Sequence, residues 1–313
     1  MSGSSTCARK ALILTDGKAG HENQSRAFAR ALGCSFDLLP VRFRSRAAKS
    51  FSYVADWLNI SSAGLFDGIG DIEPLVEKGY AAVIGTGSGT FYATKVLSRR
   101  LGVPSGVVLY PRGYRISTFD CVLAPSFDRP ARAANVVELP ANLVAADAEF
   151  YRNGVAAFRE RTGVVPEIAV VIGGPNKCST MSAEWMRARL DEVFAIPGVK
   201  AVTTSRRTPP DVEAVVDSYP WDYKLIFSRD KFNPIPAFVS LAKRLYVTAE
   251  STGMLSEACT FGSAEVVALD NLLPGPSKFR RFVEGLRAGG YVDGARKVDL
   301  SPEFASARRL MGL

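Results

Sequence analysis

Histidine is almost missing from this sequence: one imidazole, His21, serves 313 residues. That scarcity argues against catalysis built on several histidines and against a histidine-rich metal site. The five cysteines, Cys7, Cys34, Cys121, Cys178 and Cys259, show no C-x-x-C spacing. A disulfide framework and a structural zinc site are therefore not expected, and most of the thiols read as small buried apolar groups. No apolar run approaches the roughly 20 residues a membrane-spanning helix needs. Residues 1–6 lead into a short strand with no h-region or cleavage signal, so a cytoplasmic protein is expected. There is no low-complexity tract, no short-period repeat and no D-x-D triplet to hold a metal ion.

What is present is a globular composition, 47% hydrophobic and 22% charged, at a length that suggests two ordinary domains. The net charge of +8 is unevenly placed: residues 1–163 hold 20 Lys/Arg against 14 Asp/Glu, and residues 164–313 hold 19 against 17. A basic first half favours a phosphate-bearing ligand, anionic lipid or nucleic acid, and charge alone does not choose among them.

Short β-branched runs alternate with helix-length segments, the pattern of βαβ units. The runs in the first half are Ala11–Thr15, Ala81–Gly85, Val107–Leu109, Cys121–Ala124 and Val136–Leu139. A polar stretch near Glu160–Gly163 reads as a linker. A second set follows: Ile168–Ile172, Ala201–Thr204, Tyr223–Phe227, Arg244–Thr248 and Glu265–Leu269. The expected fold is α/β, two domains facing a cleft, with a closing helix marked by Phe304, Ala307 and Met311.

The chemistry gathers in the loops after these runs, where open α/β sheets bind ligands. His21 sits in the first, Asp16-Gly17-Lys18-Ala19-Gly20-His21-Glu22-Asn23-Gln24, and histidine is the side chain suited to proton transfer near neutrality. The second, Gly85-Thr86-Gly87-Ser88-Gly89-Thr90, resembles a dinucleotide fingerprint with Thr90 in place of the third glycine; it could hold an anion or simply turn the chain. In the third, Gly173-Gly174-Pro175-Asn176-Lys177, exposed amides and a lysine suit a phosphate. After it, Ser182 reads as an N-cap and Met186, Leu190 and Val193 as core.

Ser205-Arg206-Arg207-Thr208 pairs arginines between hydroxyls, good diphosphate ligands. In the fifth loop, Glu250 can accept ribose hydroxyls while Ser251, Thr252, Gly253 and the helix amides face phosphate; Glu257 falls inside the helix as a further candidate or a supporting group. Finally, residues 42–53 interleave basic and aromatic residues. They could lie on an anionic membrane or grip a lipid phosphate, or form a solvated helix with an aromatic inner face.

Together the D-G-K-A-G-H-E-N-Q, G-G-P-N-K, S-R-R-T-P and T-A-E-S-T-G-M-L-S-E-A stretches resemble the mitochondrial-fission (elongated-mitochondria) family, with bacterial members grouped among glycosyltransferases. The resemblance runs to Lys278-Phe279-Arg280-Arg281-Phe282. It implies the GT-B architecture: a Rossmann-like acceptor domain at residues 1–160, a Rossmann-like nucleotide-sugar domain at 166–290, and a final helix at 298–313 packing back on the first. The implied activity is metal-independent transfer from a nucleotide-sugar, itself the substrate with no separate cofactor, to an envelope glycolipid or polysaccharide.

In that reading His21 is the base, oriented by Asp16 or Glu22. The departing diphosphate is held by Arg206, Lys177 and helix-start amides near Gly174 and Ser251. The acceptor meets Gly17, Lys18, Gly20, Thr86, Gly87, Ser88 and Arg112. Partners would be the donor and an anionic membrane or lipid-linked acceptor on the inner membrane face, without nucleic acid. A nucleotide-sugar epimerase, a non-catalytic membrane adaptor and, more remotely, a dehydrogenase are the competing readings.

Overall fold

The computed structural model describes residues 9–67, 69 and 72–313; residues 1–8, Cys7 and the N-terminal segment among them, lie outside the described residues. The chain forms two α/β units. One takes the chain up to Leu139, then Leu143–Ala145 and Leu300–Leu313; the other takes Pro140–Asn142 and Ala146–Asp299.

The first unit runs β1 (Lys10–Thr15), α1 (Ala19–Ala31), β2 (Ser35–Pro40), β3 (Arg42–Phe43), α2 (Arg46–Trp57), β4 (Phe66–Asp67), α3 (Glu73–Val76), β5 (Ala82–Thr86), α4 (Phe91–Leu101), β6 (Ser105–Val108), β7 (Cys121–Pro125) and β8 (Val136–Leu139). Six strands form a parallel sheet in the order β2-β1-β5-β6-β7-β8. Its central strands are covered on both faces, which is why Ala11–Leu14 and Ala82–Ile84 are unbroken apolar runs. β3 and β4 pair as a separate short antiparallel ladder.

The second unit runs α5 (Ala148–Thr162), β9 (Ile168–Val171), α6 (Ala183–Phe194), β10 (Lys200–Thr203), α7 (Pro210–Asp217), β11 (Tyr223–Leu225), α8 (Ile235–Leu241), β12 (Arg244–Thr248), α9 (Thr252–Thr260), β13 (Glu265–Leu269) and α10 (Lys278–Ala288). Its sheet is parallel in the order β11-β10-β9-β12-β13. The chain then returns to the first unit as α11 (Ser301–Met311), which packs on β7 and β8 and buries Ala307 and Met311.

The domain boundary differs from the sequence reading. Glu160–Gly163 is no linker but the last turn of α5, stopped by Gly163 at φ +67. α5 belongs to the second unit because fully buried Phe158 packs edge-on against Tyr223 and Phe238. That unit also continues to Asp299, not 290. Ser182 caps α6 by accepting from Trp185 N, and Met186, Leu190 and Val193 are its buried face.

Each sheet reverses its winding once. In the first unit the chain steps from β1 outward to β2, then crosses to β5 on the other side of β1. In the second it goes from β9 to β10 and β11, then to β12 on the far side of β9. At such a reversal neighbouring loops diverge from the carboxyl edge and leave a crevice. Both reversals coincide with glycine-bearing loops.

Candidate functional site

At the first reversal, β1 ends in buried Thr15, and Gly17 turns the chain at φ +79 into α1. His21 lies in the first turn of α1, its Nδ1 3.1 and 3.2 Å from the two carboxylate oxygens of Asp16. Lys18 Nζ lies 3.2 Å from the same carboxylate. Burial pushes the Asp16 carboxyl upward, but His21 and Lys18 together outweigh that and hold it below its ordinary value. An ionised carboxylate can only accept. Nδ1 therefore carries the proton, and in the neutral ring Nε2 keeps the lone pair.

Glu22, the other orienting candidate, is spent elsewhere. It accepts from Arg26 at 2.6 and 3.0 Å and from Thr15 Oγ1 at 3.2 Å. The ion pair turns its carboxylate toward Arg26, so Asp16 alone is bonded to the ring.

The loop after β5 backs this pair. A Cβ on Gly87, whose φ is +81, would lie 2.3 Å from His21 Cε1; one on Gly89 would lie 2.8 Å from Asp16 Cβ. Gly85 has the same constraint against Thr94 Oγ1, at 2.2 Å. Thr90 is fully buried and donates to Gly87 O at 3.1 Å, so it braces the turn. Thr86 was expected at the acceptor but is 1% exposed, its hydroxyl 2.7 Å from that of Ser25. Burial and that bond remove it from ligand reach. Ser88 accepts from Lys49 Nζ at 3.0 Å. Arg112 donates to the Asp128 carbonyl and lies over the Tyr110 ring. Gly17 and Gly20 have open space where a Cβ would stand.

Beside Asp16, Gly17 and Gly89 opens a cavity of about 560 Å³, also lined by Arg42, Arg46 and Lys49. Among the described residues neither Arg42 nor Arg46 makes an ion pair. Composition singled out this basic segment, but its approach to Asp16 depends on the chain turning back through β3. Another concavity, about 620 Å³, is lined by Ser105, Asp120 and Arg309; it lies at the amino edge of the sheet, away from the glycine loops.

In the second unit the Gly173–Gly174 loop meets β12 at the reversal. Gly173 N donates to Thr248 Oγ1 at 2.8 Å and Gly174 N to Glu250 Oε1 at 2.7 Å. Arg207 Nη1 donates to Gly174 O at 2.9 Å, and Thr208 Oγ1 to Gly173 O at 2.6 Å. A Cβ would stand 2.0 Å from Glu250 Oε1 at Gly173, and 2.1 Å from Arg207 O at Gly174.

The expected anion-binding amides near Gly174 are thus corrected: both are consumed by their own neighbours. Asn176 likewise builds the turn, accepting from Cys178 N at 2.8 Å. Thr208 and Ser205 lock the arginine loop through a 2.8 Å bond from Ser205 N. Glu257 accepts from Tyr151 Oη at 3.0 Å, and burial raises its carboxyl against the lowering influence of that hydroxyl. It faces α5, so its expected contact with the donor is corrected too.

Three features of this edge remain unspent. The exposed side chains of Lys177 and Arg206 carry no hydrogen bond or ion pair among the described residues. The start of α9 has no side-chain cap, and Gly253 is open to solvent there, so its first amides are unsatisfied donors beside Ser251 and Thr252. Glu250 is 2% exposed, and its Oε2 is buried with no partner. A buried carboxylate oxygen in that state is a standing acceptor.

Cys121 and Cys259 are buried, and that burial pushes each up to about 12. No helix among the described residues is long and apolar enough to cross a membrane.

Solved structures share this architecture. A Listeria monocytogenes protein assigned as a UDP-N-acetylglucosamine 2-epimerase superposes with a TM-score of 0.55 at 12% identity, over 97% of this chain and 88% of its own. Arabidopsis thaliana UGT89C1, solved with UDP, gives 0.51 at 10% identity over 97% and 90%. At these identities the likeness establishes the fold: two Rossmann-like units of the kind found in GT-B glycosyltransferases and sugar-nucleotide epimerases. In sequence, the Arabidopsis thaliana mitochondrial fission protein ELM1 is 23% identical over 93% of this chain and 85% of its own. A sequence model of the mitochondrial fission ELM1 family matches residues 19–308, from the first turn of α1 into α11. That span takes in His21, the glycines after β5 and the whole of the second edge, and the chain belongs to the mitochondrial fission ELM1 family.

Proposed function

We propose that the protein is a glycosyltransferase that moves a sugar from a nucleotide-sugar to a hydroxyl acceptor, an envelope glycolipid or polysaccharide, without a metal ion. The observation that carries this reading is the His21–Asp16 pair, held at a sheet reversal by glycines that cannot accept a side chain. His21 Nε2 takes the proton of the acceptor hydroxyl as its oxygen attacks the anomeric carbon. The bond from that carbon to the diphosphate breaks, and the electron pair leaves with the nucleoside diphosphate. Arg206, Lys177 and the α9 amides stabilise the leaving charge. Glu250 Oε2 accepts from a ribose hydroxyl. The cavity beside Asp16 takes the acceptor, with Arg42 and Arg46 meeting its anionic groups.

Thermal shift and ligand-observed NMR with a panel of UDP, GDP, ADP and CMP test donor binding; at least one is expected to bind wild type and to bind Arg206→Ala more weakly. Transfer from the matching nucleotide-sugar should then fail in His21→Ala with nucleotide binding intact. No binding by any member refutes the reading. Isomerisation of the nucleotide-sugar without acceptor would refute it in favour of an epimerase.

A further inference from the structure

The helix α2 buries little of its apolar surface. Its inward face is mixed: Ala55 is fully buried and Tyr53 stacks on Tyr114, but beside them Ser52 is fully buried with Oγ 2.8 Å from Tyr114 Oη, and Asp56 meets the fully buried Lys95 Nζ at 2.6 Å. Outward, at helical spacing, it carries Phe51, Val54 and Trp57, followed by Leu58 and Ile60, with exposures of 45–72%. Half of the ten large hydrophobics exposed among the described residues fall in this ten-residue stretch, so it is a patch and not the usual scatter. The hydrophobic effect favours covering such a patch.

The rim of the patch is cationic. Arg42, Arg44 and Arg46 are exposed at one end of the helix. At the other, Arg99 and Arg115 each donate to Asn59 Oδ1 at 2.9 Å. The one acid between residues 42 and 60 is Asp56, which is buried. An apolar stripe with tryptophan at its margin and guanidinium groups at both ends complements lipid phosphates. Such phosphates are available at any spacing, whereas a protein partner would need carboxylates placed to match both ends.

From this we infer that α2 docks the protein on an anionic bilayer, laying Phe51, Val54, Trp57 and Leu58 into the interface while Arg42, Arg46 and Arg99 meet headgroup phosphates. The docking shares Arg42 and Arg46 with the acceptor cavity but does not need catalysis, and His21→Ala is expected to bind vesicles like wild type.

The test is flotation of the full chain with phosphatidylglycerol–phosphatidylcholine vesicles, and with phosphatidylcholine alone. Binding to the anionic vesicles is expected to weaken with salt. Arg42→Glu with Arg46→Glu should lower it about 25-fold or more, at about fivefold per surface charge. Trp57→Ser, at an exposed site that leaves the circular dichroism unchanged, should lower it roughly tenfold. Failure of wild type to float, or flotation indifferent to both variants, overturns the proposal. So does a dimer in sedimentation that Trp57→Ser dissolves, since the patch would then be covered by a second copy.

Discussion

Replacing Asp16 by asparagine tests the geometry at the first sheet edge directly, because the chain has one histidine and hence one imidazole signal set. In wild type the ionised Asp16 faces Nδ1 at 3.1 Å, which favours the neutral tautomer protonated at Nδ1. A hydrogen bond to a charged group contributes about 1.5–3 kcal/mol, equivalent to a tautomer preference of about 10- to 150-fold. Asparagine keeps the size but can present its amide NH₂ to the ring, for which an unprotonated Nδ1 is the better partner; the preference should then collapse or invert. Long-range ¹H–¹⁵N correlation spectra of uniformly labelled protein, recorded where the imidazole is neutral, report which nitrogen carries the proton. A wild-type ring protonated at Nε2, or a tautomer ratio unmoved by Asp16→Asn, would refute the assignment of Nε2 as the basic nitrogen.

Gly87→Ala should destabilise the fold by about 2 kcal/mol in urea unfolding, since alanine at positive φ is strained and its methyl must displace the imidazole; the single histidine signals should shift with it. Gly174→Ala should cost a similar amount, about 2 kcal/mol, and weaken nucleoside diphosphate binding in calorimetry, because its methyl drives the Arg207 backbone outward. Glu257 has a raised folded-state carboxyl, so its stabilising contribution is complete below the ordinary carboxylate range and lost as pH rises through the raised value. Melting temperatures of Glu257→Gln should therefore rise relative to wild type between pH 4.5 and 8, and a constant difference would contradict the buried placement. Lys95→Ala, by stranding Asp56, should cost about 3–5 kcal/mol in urea unfolding. Lys95→Met with Asp56→Leu should recover only part, since Arg115 N loses the acceptor it now has at 2.7 Å.

The buried strands were readable because both faces of a central parallel strand are covered, which turns Ala11–Leu14 and Ile168–Ile172 into continuous apolar runs. β2 gives no such signal. It is an edge strand, half exposed, whose Asp37 is held by Lys10 at 2.8 Å and Tyr80 at 2.7 Å. Salt-linked and hydroxyl-linked edges of this kind look like loop in a sequence.

At the candidate site, the glycines were visible but their tasks were not. That Gly87 and not Gly85 meets His21 follows from the parallel register of β1 on β5, which sets Leu14 opposite Gly85. The Gly173–Gly174 amides read as anion donors because Thr248 and Glu250, which satisfy them, are some 75 residues distant in the chain. For residues 42–53 the helix was legible, but not which aromatic faces inward: Tyr53 stacks on Tyr114 at 4.5 Å, while Phe51 is left outside.

Because α11 completes the first unit, that unit is discontinuous in the chain, with some 150 residues of the second inserted before its last helix. During synthesis the surface of β7 and β8 that receives α11 stays uncovered until residues 301–311 have left the ribosome. The inserted unit has all its own strands by then and can finish folding first, an inversion of the usual N-terminal-first order. A fragment ending near residue 145 would expose that surface permanently and invite aggregation, whereas one with residues 300–313 rejoined through a short linker should remain soluble.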